Sequence, residues 1–502
     1  MVSPMSAPAS LIGEPDLLLL DEVAHPRPWQ VLGARAGQSA GQAGVFFSLW
    51  APGARRVSVV GDFCAWDARR WPMRRLTGAG VWERFVPGLE AGARYKFSVL
   101  GADRRRRLKA DPFGRAMDHT PGTSSRVAAP SRHRWRDGSW MERRGGIDWQ
   151  RAPMNIYEVH LGSWRRRRDG SWLTYPELGR RLAEHCRRLG FTHVELMPIA
   201  EHPYDGSWGY QVTGFHAPTS RFGTPDQLRA MVDHLHRSGI GVVLDWVPAH
   251  FPQDDYALSR FDGTPLYEDP DPRRAAHPDW GTFVFDYASP WVRSFLTGNA
   301  LYWLEEFHVD GLRVDAVASM LYLDYSRKAG EWKPNRLGGN QNLEAIDFIR
   351  QLNVTTHRAM PGIVTAAEES TAFPAVSGSP AEGGLGFDFK WDMGWMHDTL
   401  EYFARDPSYR RYHHRRLTFR GMYLGGERWI LPLSHDEVVH EKQSLLGKMP
   451  GSEKQRFANL RSVLVNQAGQ PGKKLLFMGT ELAPRGEWDH DLQLPWRSAA
   501  DP

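Results

Sequence analysis

The sequence predicts a multidomain protein, a small N-terminal β-sandwich followed by a (β/α)8 TIM barrel, and three observations predict it. At 502 residues the chain exceeds what one ordinary hydrophobic core organises, so at least two domains are expected. Short apolar or alternating runs at 45–50, 56–60, 81–86 and 94–100 are separated by Pro-Gly and Gly-Ala-Gly turns, the pattern of packed antiparallel strands. From Met154 the texture becomes strand, loop, helix, repeated. Strands are expected at 156–159, 193–197, 242–246, 311–315, 363–367, 387–391, 429–433 and 474–478, with helices such as 175–189, 225–238 and 343–357 between most of them. Eight strands alternating with helices close a barrel.

Changes of texture set the expected bounds. Residues 1–35 are rich in Pro and Ala and are expected to form a poorly ordered arm. The sandwich occupies 36–108, a connector 109–150, and the barrel 151–502, with an enlarged loop at 250–286 after the third strand, rich in Pro, Asp and Tyr, as a lid or substrate wall.

Composition excludes several function classes. Hydrophobic residues make up 41% and charged residues 24% of the chain, which is globular. The net charge of +5 is small for this length, and the arginine runs 104–107 and 165–168 are short and isolated, so they read as solvated turns and no nucleic-acid partner is expected. Twenty-one Trp suggest flat apolar faces used for stacking, which suits the C–H faces of sugars, although most such rings must be core. Trp66, Trp71 and Trp82 read as sandwich core first and as a stacking surface second. Only Cys64 and Cys186 are present, so no disulfide framework is implied and a reducing cytoplasm fits. The apolar run 17–20 is too short to span a bilayer and no basic leader precedes it, so neither export nor membrane insertion is expected.

The stretch around which the chemistry gathers is Gly311-Leu312-Arg313-Val314-Asp315. A short apolar run ending on a carboxylate reads as a buried parallel strand that delivers Asp315 to the C-terminal mouth of the barrel. Arg313, two residues earlier, points the same way and is expected to hold Asp315 ionised. Three further strands end alike: Asp245 to His250 after the third, Glu368-Glu369 after the fifth, and Ser434-His435-Asp436-Glu437 after the seventh. Carboxylates crowded in one mouth push their acid constants apart, leaving one protonated as an acid and another ionised as a nucleophile. Those are the two roles that a retaining glycosidase or transglycosidase needs, with the carboxyls about 5 Å apart. His250 and His435 add donors suited to sugar hydroxyls.

These four stretches resemble the signature regions of the alpha-amylase superfamily, and the surrounding sequence resembles the bacterial 1,4-alpha-glucan branching enzymes within it. Tyr157-Glu158-Val159-His160-Leu161-Gly162-Ser163-Trp164, Ser207-Trp208-Gly209-Tyr210-Gln211, Ala366-Ala367-Glu368-Glu369-Ser370 and Leu433-Ser434-His435-Asp436-Glu437-Val438-Val439-His440 carry that likeness. Trp50-Ala51-Pro52 and Gly61-Asp62-Phe63 resemble the carbohydrate-binding module that these enzymes carry. The resemblance implies Asp315 as nucleophile, Glu368 as general acid and base, and Asp436 as a third carboxylate gripping sugar hydroxyls. It places Arg313, His250 and His435 around the bond that breaks, Tyr210 beneath that sugar and Asp245 in support. It implies cleavage of an alpha-1,4 link in glycogen or amylose and transfer to a 6-hydroxyl, without cofactor or metal, by a monomer.

Two alternatives stay open at this point. Water and a sugar hydroxyl are activated by the same base, so a hydrolase of the same superfamily, for example a trehalose-releasing one, fits the same acids. A non-catalytic glucan-binding protein is the other, while Arg313 beside Asp315 argues against a metal-dependent barrel hydrolase. The family continues past the eighth strand with a last barrel helix and a further β-domain. Neither is recognised before Pro502, so an uncovered eighth strand, reduced stability and weak activity are expected.

Overall fold

A computed structural model describes residues 10–76 and 78–500, except the side chains of 499 and 500. Two antiparallel sheets form the N-terminal sandwich. One contains Gly33–Ser39, Gln42–Trp50, Arg74–Arg75 and Val81–Pro87, and the other Arg56–Gly61, Arg94–Leu100, Arg106–Lys109 and Ser125–Arg126. Inward residues of both sheets meet in an aromatic core where Phe47 packs edge-on to Tyr95 at 4.8 Å and to Phe97 at 6.5 Å. Trp82 belongs to this core and donates its Nε1–H to the Ala51 carbonyl at 2.9 Å. Trp71 is half-buried beneath the Arg84 guanidinium, and Trp66 is half-exposed.

The arm and connector are more ordered than their composition suggests. Residues 1–9 lie outside the described residues, but Glu14–Asp21 is a helix and Trp29 is fully buried. Trp29 packs edge-on against Tyr302 at 6.0 Å and its carbonyl accepts from Arg115 at 2.7 Å. One large apolar side chain thus fixes a segment rich in Pro and Ala. Within the expected connector, Ser125–Arg126 pairs with the sandwich and Gly138–Gly145 is a helix.

All eight expected barrel strands form, and all pair in parallel. They are β1 (Asn155–Val159), β2 (His193–Leu196), β3 (Gly241–Trp246), β4 (Gly311–Val314), β5 (Val364–Ala367), β6 (Phe389–Trp391), β7 (Trp429–Leu433) and β8 (Lys473–Phe477), with β8 closing back on β1. The longer helices are α1 (Tyr175–Leu189), α2 (Pro225–Arg237), α3 (Pro290–Glu306), α4 (Leu343–Ala359), α5 (Met393–Ala404) and α6 (Glu453–Gly469). Thr174 with Glu177, Thr224 with Gln227 and Ser452 with Gln455 form capping boxes at the starts of α1, α2 and α6, which satisfies the first free amides of each helix. The enlarged loop after β3 folds into a small sheet of His250–Phe251, Ala276–His277 and Thr282–Val284.

Beyond β8 the described chain makes 3₁₀ turns at Thr480–Leu482 and Trp496–Ala500, and the outward residues Lys474 and Leu476 stay half-exposed. Gln467 explains the polar end of α6. Its Nε2 donates to the Leu431 and Leu475 carbonyls at 2.9 Å each, tying the helix to both β7 and β8.

The barrel interior is apolar where the strands begin and charged where they end. Met154, Ile156, Val364, Ala366, Phe389, Trp391, Ile430 and Leu475 form one cluster. Glu158, two residues beyond Ile156 on β1, and the paired Asp245 and Arg313 of β3 and β4 lie on the inward side, because successive side chains alternate. Arg313 rests on the Trp391 ring at 4.5 Å, a cation–π contact that seats its charge on the apolar layer.

A second buried charge cluster holds the opposite end. His236, near the end of α2, donates from Nδ1 to Asp137 and from Nε2 to Asp310, each at 2.9 Å, and Asp310 also accepts from Trp140 and Arg144. Burial opposes the charge on His236, but Asp310 and Asp137 overcome it and push the ring up to about 9. A raised folded pKa stabilises fully below the unfolded value near 6.5 and is lost as pH rises through about 9. Urea unfolding is therefore expected to show about 3 kcal/mol less stability at pH 10 than at pH 6.5 from this group, and His236→Gln to remove that part of the slope. An unchanged slope in the variant would place the alkaline loss elsewhere.

Candidate active site

Four strand ends meet above Arg313. Asp315 follows β4, and its amide donates to the Trp246 carbonyl of β3 at 3.0 Å. The next residue, Ala316, has φ +52°, a left-handed conformation that a Cβ-bearing residue adopts only when its surroundings hold it there. That turn aims the Ala316 amide at Glu368, whose Oε2 accepts it at 2.7 Å. The strand-end loops after β4 and β5 are further tied by Val317 N donating to the Glu368 carbonyl.

The Arg313 guanidinium organises the carboxylates. Its Nη1 donates to Asp315 Oδ1 at 2.6 Å and to Asp245 Oδ1 at 2.7 Å, and its Nη2 lies 3.8 Å from Glu368 Oε2. Side-chain exposure rises from 1% at Arg313 and Asp245 to 12% at Asp315, 18% at Glu368 and 41% at Asp436. Arginine and Asp245 thus form the floor, while the other three carboxylates meet whatever enters the cleft. A cation bound among Asp245, Asp315 and Glu368 would have to displace a guanidinium already in place.

Proton sharing departs from the simple expectation for Asp315. Arg313 does touch it, but burial outweighs that contact and, with Asp245, Glu368 and Asp436 adding, pushes Asp315 up to about 8. Burial also raises Glu368, where Asp436 adds to the effect and Arg313 and the Ala316 amide oppose it. Both carboxyls are therefore raised above the usual carboxylate range. Within the pair the short Arg313 contact favours the ionised form on Asp315, and the 3.8 Å approach favours it less on Glu368. Asp436 differs: burial acts against its charge, yet His435 and Arg313 hold it below the ordinary range.

Of the remaining predicted residues, Tyr210 donates to Asp245 Oδ2 at 2.6 Å and stacks on His435 with centroids 5.6 Å apart. His435 Nε2 lies 3.4 Å from Asp436 Oδ1. His250 is buried, and its ring contacts are Trp280 at 4.8 Å and His277 at 6.3 Å. It belongs to the wall built by the enlarged loop, whereas His435 sits among the carboxylates. Glu369, adjacent to Glu368, points away and pairs with Lys390 at 2.6 Å.

Sequence reasoning gave no role to two acids of the floor, Glu158 on β1 and Glu195 on β2. Glu158 accepts from the His435 amide at 2.9 Å and from its Nδ1 at 2.5 Å. Glu195 stands beside it in register, fully buried, with neither oxygen hydrogen-bonded. The available signal was an acid two residues after an inward position in an apolar strand.

Comparison with known proteins agrees with this geometry. Residues 31–114 match carbohydrate-binding module 48 (isoamylase N-terminal domain), and residues 183–263 match the alpha amylase catalytic domain. The 1,4-alpha-glucan branching enzyme GlgB of Thiobacillus denitrificans is 57% identical over 97% of this chain and 66% of its own length. Those of Rubrobacter xylanophilus and Myxococcus xanthus are 58% identical over 97% and 56% identical over 98% of this chain, each covered to 67% of its length. The chain thus spans about two thirds of these curated relatives. A 1.4 Å crystal structure of a candidate alpha amylase from Salmonella typhimurium shares the fold with TM-score 0.64 at 22% identity, over 89% of this chain and 72% of that one. With a closed parallel barrel, acidic strand ends and relatives of this identity, the chain belongs to the 1,4-alpha-glucan branching enzymes of the alpha-amylase superfamily.

Proposed function

We propose that the chain cleaves alpha-1,4-glucan and transfers the released segment to a glucan 6-hydroxyl, forming alpha-1,6 branches with retention of configuration. The observation that carries this reading is one guanidinium within 4 Å of both Asp315 and Glu368. Glu368 protonates the glycosidic oxygen while Asp315 attacks the anomeric carbon, giving a glucosyl ester through an oxocarbenium-like state. Glu368, now a base, takes the proton of the acceptor hydroxyl, which displaces Asp315. Asp436 and His435 grip the sugar hydroxyls, Tyr210 and Asp245 support them, and His250 acts from the loop wall. The sandwich, taken as 36–108, serves as the glucan-holding module. Buried free thiols at Cys64 and Cys186 fit a reducing cytoplasm, no helix among the described residues is long and apolar enough to cross a membrane, and a monomer is the simplest working unit.

The test is to incubate the purified chain with amylose and follow anomeric proton signals. New alpha-1,6 signals, absent with Asp315→Asn, are expected. Reducing ends or free trehalose without such signals would favour a hydrolase, and tight amylose binding with no product a glucan-binding role.

A further inference from the structure

We infer that Glu158 is a positioning residue that holds the His435 ring in its doubly protonated form, aiming a charged N–H donor at the mouth of the cleft. For its catalytic consequence this role rests on the glucan-transfer reading above; for its geometry it does not. Every neighbour of the ring nitrogens is an acceptor. Nδ1 faces Glu158 Oε1 at 2.5 Å, so it carries a proton. Nε2 faces Asp436 Oδ1 at 3.4 Å and the Tyr210 hydroxyl at 3.3 Å. The Tyr210 proton is already given to Asp245 at 2.6 Å, which leaves only lone pairs towards His435. Nε2 therefore carries a proton too, and the ring is an imidazolium.

Glu158 does this with both oxygens, since Oε2 accepts the His435 main-chain amide at 2.9 Å. The ring is thereby clamped from two directions by one residue of β1, with Nε2 turned to Asp436 and Tyr210. Glu195 makes the clamp affordable to the fold. Two buried carboxyls side by side on neighbouring strands do not both ionise. Glu158 has two donors and Glu195 none, so the proton resides on Glu195. Burial and the charges of Glu158 and Asp245 raise Glu195 well above the ordinary range. The groups facing His435 are Glu158 from β1, Glu195 from β2, Asp245 from β3, Arg313 from β4, His160, Tyr210 and its own neighbour Asp436. Burial and Arg313 oppose a charged ring, but Asp436 and Glu158 prevail and push it up to about 9.

The test reads the ring directly. With ¹⁵N-histidine-labelled protein, the His435 resonances, assigned by their loss in His435→Asn, are expected to show two protonated nitrogens at pH 8. In Glu158→Gln one of the two oxygens that face the His435 donors becomes an NH2 donor, and the negative charge beside the ring is lost. The ring should then be neutral at pH 8, the alkaline limb of kcat/KM on amylose should move down by about one to two pH units, and the rate there should fall about tenfold or more. A neutral ring in the unmodified chain at pH 7, or an unchanged ring and limb in Glu158→Gln, would overturn the assignment. If the variant does not fold, the ring titration of the unmodified chain decides alone. A neutral ring with normal branching would remove this role only. A charged ring in a chain that makes no alpha-1,6 linkage would leave the clamp standing and remove the transfer reading.

Discussion

Asp315→Asn is expected to lower turnover on amylose by about 10⁴-fold or more, since losing a covalent nucleophile removes the step on which the others depend. The same change should leave the thermal transition at or above that of the unmodified chain. Asparagine keeps an oxygen where Arg313 now donates at 2.6 Å, and it removes a carboxyl that burial already pushes up to about 8. A group strained for chemistry is one whose neutral replacement relieves the fold. Iodine staining of amylose and a melting scan check the two halves. Retained turnover would remove Asp315 from the reaction, and a large drop in Tm would mean that its charge is structural.

Arg313→Met is expected to act on both properties at once. The guanidinium is 1% exposed and pairs with Asp245 and Asp315 while approaching Glu368. Breaking a buried pair from one side strands the other charge and costs about 3–5 kcal/mol. The stranded carboxyls would relieve themselves by taking up protons, so the nucleophile becomes neutral and the remaining activity moves to higher pH. Urea unfolding, with the slope checked for two-state behaviour, measures the first effect. A pH profile measures the second. Arg313→Lys should recover part of the stability but little of the rate, because one ammonium in place of Nη1 lacks the second arm that approaches Glu368 and the planar face that rests on Trp391.

The carboxyl-bearing strand ends were legible because alternation makes them so. In Gly311 to Asp315 the acid follows an apolar run at the spacing that turns Arg313 and Asp315 to one side. Asp245, Glu368 and Asp436 could be read in the same way. Bounds were less sharp: the sixth strand runs Phe389–Trp391 rather than from 387, because buried Phe387 fills an apolar site before pairing begins. Glu158 and Glu195 were not legible as site residues. An acid inside a short strand reads as solvent-facing, and only closure of β1 against β2 and β8 turns it into the barrel. The raised acid constant of Asp315 was not legible for a related reason. Arg313 is its neighbour in sequence, whereas Asp245, Glu368 and Asp436, which oppose it, arrive from β3, β5 and β7. His250 and His435 looked equivalent beside their acids, yet only His435 is held by the floor.

The division of labour between the two carboxyls can be tested by trapping. In Glu368→Gln, an alpha-maltosyl fluoride needs no proton to release its leaving group, so Asp315 can still form the glycosyl ester, but no base remains to hand it to an acceptor. Mass analysis of the peptides is predicted to find the sugar on the one containing Asp315. Sugar on any other carboxylate, or a fluoride released with inverted product and no adduct, would contradict the account.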